Sequence, residues 1–223
     1  MSEMTDIIVD TTRKIFEDLG DPQTIINAKD EAWRDSLWQA LDEGGLTRAW
    51  ASEAAGGAAL SVADTFEIIR VAGAHAVALP LVPHLLAVWL LDRANIALPE
   101  GIMTVSSASN GAAVSIDAEG RVSGRLSAVA FAEHAQFLAV LADGTAGPTA
   151  ALVALDNVGI EPGVDAAGDS FDTVTLNAVP AISAAAVDLE HDELELLGAA
   201  MAAMAVAGAF EGALKMCVSY SQD

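Results

Sequence analysis

The segment from Leu194 to Tyr220 constrains this chain more than any other. It is rich in Ala, Gly and Met, holds few charges and carries no Pro, so it reads as one long helix. A helix so apolar on every side needs a partner surface. No Gly-then-Pro stop follows Tyr220 before Ser221-Gln222-Asp223. The expectation is a chain that forms part of something larger.

Composition agrees with a chain that hides much of its surface. Of 223 residues, 53% are hydrophobic and 19% charged, which excludes a disordered polymer. Ala dominates the apolar set and aromatics are only 5%, so the core should be closely spaced helices with small-residue contacts. Ten Lys and Arg face 32 Asp and Glu, a formal charge of −22. That charge repels phosphate backbones, so nucleic acid is not an expected partner, and it disfavours anionic lipid surfaces.

Cys217 is the one cysteine, so no disulfide forms within the chain, which fits a reducing, cytoplasmic setting. Met1 to Asp10 carries acids where a signal peptide would carry basic residues. Leu79 to Leu91 is interrupted by Pro80, Pro83 and His84. The uncharged run Leu196 to Phe210 falls short of the ~20 apolar residues a bilayer span needs. No membrane span is expected.

Residues 1–100 read as a helical domain. Ile7, Ile8, Thr11, Ile15 and Leu19 share a helical face closed by Gly20. Trp33, Leu37, Trp38 and Leu41 repeat at helical spacing up to Gly44-Gly45. Ser61 with Asp64 three residues on forms a variant capping box before Phe66, Ile68 and Ile69. Pro83 suits the first turn of a helix through Leu85, Leu86, Trp89 and Leu90.

Residues 101–188 change period. Val114 and Ile116, a turn over Asp117 to Gly120, and Val122 make a hairpin. Phe137 to Leu141 and Ala150 to Leu155 are of strand length, with a loop over Gly144 to Pro148 between them. Val174 and Leu176 alternate with Thr173, Thr175 and Asn177. These strands predict an antiparallel β-barrel or sandwich.

Residues 189–223 are the long helix. Glu190, Asp192, Glu193 and Glu195 lead it, favourable at the positive end of its dipole. Leu196, Leu197, Ala200, Met204, Ala207 and Glu211 track one face. The order of helices, strands and a helix gives an α+β fold class rather than an alternating one.

Spacing alone yields no active site. No phosphate-binding glycine motif or nucleophile elbow occurs, and His75, His84, His134 and His191 are scattered, so no metal site is expected. Glu133 beside His134 is a geometrically weak acid/base pair if both lie on a strand.

One block carries a family resemblance. Leu37-Trp38-Gln39-Ala40-Leu41-Asp42-Glu43-Gly44-Gly45-Leu46, followed by Ser52-Glu53-Ala54-Ala55-Gly56-Gly57-Ala58-Ala59-Leu60-Ser61-Val62-Ala63-Asp64, resembles the N-terminal helical domain of acyl-CoA dehydrogenases. Ser52 stands where that family usually has Pro, and Ala59 where it often has Gly. The three-part order also matches, and Gly208, Ala213, Leu214 and Tyr220 resemble the first helix of the family's C-terminal bundle.

The resemblance implies FAD as cofactor, an acyl-CoA substrate, α,β-dehydrogenation of the thioester, and a homo- or hetero-oligomer. It implies flavin contacts at Ser106, Ser107, Val129 and Ala130, by position. It places the proton-abstracting glutamate in the later bundle, so no catalytic residue is expected within these 223 residues, and the chain alone is expected to be inactive. The family's flavin-facing Trp and Thr correspond to Ala128 and Ala130 here. Two alternatives stand beside this reading: a non-catalytic subunit of a heteromeric acyl-CoA dehydrogenase, and an unrelated α+β interaction module.

Overall fold

The structure is a computed structural model that describes residues 3–28, 30, 32–107 and 114–222. It has the expected α+β order: helices, then strands, then one long helix. Compactness divides the chain into a helical unit, Met1–Leu79 with Ala199–Asp223, and a sheet unit, Pro80–Gly198. These cuts differ from 100 and 188, which follow secondary-structure type alone. The helix just before the strands goes with the sheet.

In the helical unit, α1 (Glu3–Leu19) packs on α3 (Ala32–Glu43) and α4 (Val62–His75), with the short α2 (Pro22–Asn27) between α1 and α3 in the chain. Leu37 and Leu41 are fully buried, as their spacing requires, and so are Ile68 and Ile69 of α4. Ser61 caps α4, its hydroxyl oxygen accepting from the Asp64 N–H.

The inner face of α1 lies one residue later than expected. Val9, Thr12 and Phe16 are buried, whereas Ile7 is 58% exposed and Leu19 37%. Thr12 can lie inside because its hydroxyl donates to the Ile8 carbonyl at 2.8 Å, which removes the cost of burying it.

The last helix, α6 (His191–Tyr220), is 30 residues long. By length and composition it is long and apolar enough to cross a membrane, more than its uncharged run suggests. Its inner face also departs from expectation. Leu194, Met201 and Gly208 are buried, while Leu196 is 70% exposed and Ala207 and Glu211 are exposed too. A helix that is apolar all round offers no stripe to read, so small size decides which side docks. Gly208 and Gly212 lie against the backbone of Arg70 and Ala74 in α4, where a Cβ would overlap. Gly73 of α4 meets the Ala205 backbone in the same way. Glycine here permits a close helix–helix approach.

Among the described residues the sheet unit holds eight strands, seven of them in the order β6 (Gly159–Glu161), β7 (Phe171–Pro180), β3 (Arg121–Ala130), β2 (Ser115–Ile116), β4 (Phe137–Gly144), β5 (Gly147–Ala154) and β8 (Ser183–Ala186). The remaining strand, β1 (Met103–Ser107), pairs with β4. Most pairs are antiparallel, but β1 and β2 both run parallel to β4. The β2–β3 hairpin forms as its turn residues predict, with Ile116 opposite Val122. The Gly144-to-Pro148 loop contracts to a two-residue turn: Gly144 pairs with Gly147, and Pro148 lies inside β5.

Leu138 to Ala142 of β4 are all buried, the unbroken apolar pattern of a strand covered on both faces. One cover is α5 (Leu81–Arg93), whose Leu85, Leu86, Leu90 and Leu91 are buried. A polar pin fixes it: the buried His84 ring accepts the Met103 N–H at Nδ1, 3.0 Å away. This pin and this apolar face tie α5 to the strands.

Candidate functional site

The residues implied as flavin contacts sit on two strands of the sheet unit. Ser106 and Ser107 end β1, half-buried, opposite Val140 and Leu141 of β4. Val129 and Ala130 end β3, opposite Asp172 and Phe171 of β7. The structure joins these strands near the candidates: the buried Thr104 hydroxyl donates to the Ala130 carbonyl at 2.6 Å.

The end of β3 is irregular. The β3–β7 register slips between Leu126 and Val129, and Ala128 adopts φ 61°. Phe131, just after the strand, has φ 55°. Non-glycine residues rarely take such angles, and they persist only where surroundings impose them. The fully buried Asp172 is the main constraint. Its carboxylate accepts from the Glu133 N–H (3.1 Å), the Gly163 N–H (3.2 Å) and the Ser170 hydroxyl (2.7 Å). This arrangement buries the Val129 side chain in the sheet core, so Val129 can offer a ligand only backbone.

Glu133 and His134 lie on a short 3₁₀ turn, Ala132–His134, not on a strand. Glu133 is exposed and the His134 ring rests against Phe131, with ring centroids 6.1 Å apart.

The first turns of α6 reach the same sheet. The Ser107 hydroxyl donates to Glu195 at 3.3 Å, and His191 Nε2 lies 3.1 Å from Asp143 at the end of β4. Glu195 otherwise reads as a dipole-complementing acid. Only its place in the fold gives it a role beside Ser107. Thr104 and Asp172 belong to no sequence pattern that marks them; their roles come from the hydrogen bonds they make in the fold.

These groups can be weighed against FAD. The charged group bonded to Ser107 is the Glu195 carboxylate, which repels any phosphate brought beside it. Ala128 supplies no ring to stack on the isoalloxazine, and Ala130 no hydroxyl to bond it; each loss weakens binding by about 1 kcal/mol. The residues present in this chain do not fit FAD by themselves. Among the described residues no group of three or more His, Cys, Asp or Glu side chains could hold a metal ion.

No protein-family profile matches the chain, and no curated protein matches it. Solved structures do. A variant of the Tcur3481-Tcur3483 steroid ACAD is similar over 98% of this chain and 66% of its own, at TM-score 0.81 and 26% identity. The ChsE4-ChsE5 complex from Mycobacterium tuberculosis matches 99% of this chain and 67% of its own, at TM-score 0.79 and 18% identity. TdsC from Paenibacillus sp. A11-2, solved with FMN and indole, matches 96% and 64%, at TM-score 0.66 and 16% identity. The chain thus spans about two thirds of the length of these proteins. Through this similarity, the chain is seen to have an acyl-CoA dehydrogenase-like fold.

Proposed function

We propose that this chain is a cytoplasmic component of a flavin-dependent oxidoreductase that performs α,β-dehydrogenation of acyl-CoA thioesters, and that it supplies only part of the active site. The carrying observation is the likeness to a steroid ACAD over nearly the whole of this chain but two thirds of that one. The chain's own contribution is positional: the sheet presents backbone at Val129 and Ala130 and the Ser106 hydroxyl, while Thr104 and Asp172 hold β3 in shape. The proton-abstracting acid and the opposite wall of the cofactor site belong to helical structure outside these residues.

The exposed side of α6 supports that reading. Leu196, Ala203, Phe210 and Cys217, interleaved with Ala199, Val206, Ala213 and Tyr220, recur at alternating steps of three and four, and all are exposed. This spacing suits knobs-into-holes packing with further helices. We read α6 as a docking helix rather than a membrane span, since its glycines pack on α4.

The purified chain is expected to be colourless and without acyl-CoA turnover. Flavin and activity are expected to appear when a polypeptide supplying the remaining bundle is co-expressed. A stoichiometric flavin absorption band from the chain alone would overturn this reading.

A second reading follows from the Ser107–Glu195 contact and from Ala128 and Ala130: a non-catalytic subunit of a heteromeric dehydrogenase. It differs in one outcome. The co-purified complex would then carry flavin only on the partner.

A further inference from the structure

The helical unit contains a cleft of about 730 Å³ that the dehydrogenase reading does not use. Its walls come from α1, α4 and the last third of α6, and every lining residue belongs to this unit. Its volume lies within the range of small-molecule sites.

The charges in it are out of keeping with the chain. Only ten Lys and Arg occur in 223 residues, yet Arg13, Arg70 and Lys215 converge here from three helices. Arg70 is committed, donating to Glu67 at 2.6 Å and to Glu211. Among the described residues Arg13 pairs only with Asp10, on exposed surface at 2.7 Å, a weak tie. Among the described residues Lys215 has no carboxylate partner. The other acid on the cleft is Glu17.

Ordinary structural roles account for part of this set. The C-terminal pole of α4 lies here, capped at Ala76, and it favours one nearby cation. It does not call for two more, nor for the apolar wall of Val71, Ala213 and Met216 beside them. The ring of His75, stacked on Phe16 with centroids 5.4 Å apart, forms part of the wall. Burial lowers its pKa, Glu17 opposes that shift, and both Lys215 and Arg13 reinforce it, so the two cations act on one point.

We propose that this cleft binds an amphipathic monocarboxylate, its head between Lys215 and Arg13 and its hydrocarbon body along Val71 and Met216. A single carboxylate matches the Lys215 ammonium and the weakly tied Arg13 guanidinium. A dianionic head would meet Glu17 and Glu211 as well. No strand residue contributes to it, so the site is separate from the proposed flavin contacts; it shares only Ala213 with the exposed stripe of α6.

The test titrates the whole 223-residue chain with sodium octanoate, octanamide and inorganic phosphate, followed by calorimetry and by the His75 ring resonances. Saturable octanoate binding is expected, at least tenfold tighter than octanamide. Lys215→Gln and Arg13→Gln should each weaken it about tenfold, the loss of one charge-assisted hydrogen bond. Octanoate should also raise the His75 pKa in the unmodified chain, a readout that survives even if a variant misfolds. Equal binding of octanamide would mean adsorption to exposed apolar surface and would overturn the proposal. So would phosphate binding as tight as octanoate, or an unmoved His75 titration at saturating octanoate.

Discussion

Gly208 of α6 lies directly on the backbone carbonyl of Arg70 in α4, with no room for a single added carbon. The Arg70 side chain reaches across the same helix pair to Glu211, one turn further along α6. Close backbone approach and a charged clasp therefore act at one crossing, and they fix which side of α6 faces inward.

Gly208→Val should separate that crossing. Overpacking a tight contact typically costs 1–3 kcal/mol, so a loss of about 2 kcal/mol in urea denaturation is expected, with α6 more open to proteolysis. Ala203→Val, on the exposed side of the same helix, should change stability by less than about 0.5 kcal/mol.

Asp172→Ala strands three donors at the turn after β3. The expected loss is about 3 kcal/mol, seen as a thermal midpoint lower by roughly 6–12 °C. Asp172→Asn keeps one acceptor oxygen and should fall between the two. A midpoint unchanged in both would show that the turn does not depend on this carboxylate.

His75 predicts a pH dependence. Burial lowers its pKa below the ordinary 6.5, so the unfolded chain takes up this proton more readily than the folded one. The stability linked to neutral His75 is fully present above pH about 6.5 and declines as pH falls toward the depressed folded value. His75→Phe, which keeps the stacking on Phe16, should flatten the slope of stability against pH in that window. An identical slope in the variant would assign it to other groups.

Restoring lost groups should restore cofactor affinity. Ala128→Trp, Ala130→Thr and Glu195→Gln together return a ring, return a hydroxyl and remove a repelling charge. In complex with a partner that supplies the bundle, the triple variant should retain flavin at least tenfold more tightly by fluorescence titration. No gain would show that the sheet does not face the cofactor. Ala128 already has φ 61°, so the single Ala130→Thr change serves as the less strained control.

Where the sequence was legible, a local rule had one answer. Leu37 and Leu41 repeat at helical spacing in a segment with a polar face, and Ser61 can cap only the helix on its C-terminal side. The Asp117-to-Gly120 turn fixes the Ile116–Val122 register. Reading failed where apolar residues surround an element. Around α6 every side is apolar, so its docking face depends on which residues are smallest, and that depends on α4. The site was hidden for another reason. Glu195 and Ser107 stand 88 positions apart, and neither belongs to a pattern that names the other. Thr104 and Asp172 act through hydrogen bonds that only the strand register creates.

The helical unit is assembled from both ends of the chain, with the strands inserted between. The inserted unit is synthesised before residue 199 is added, while α4 must wait for the ribosome to deliver Gly208 and Gly212. Until then the surface of α4 that takes these glycines stays bare, and the nascent polypeptide is open there to chaperones and misassembly.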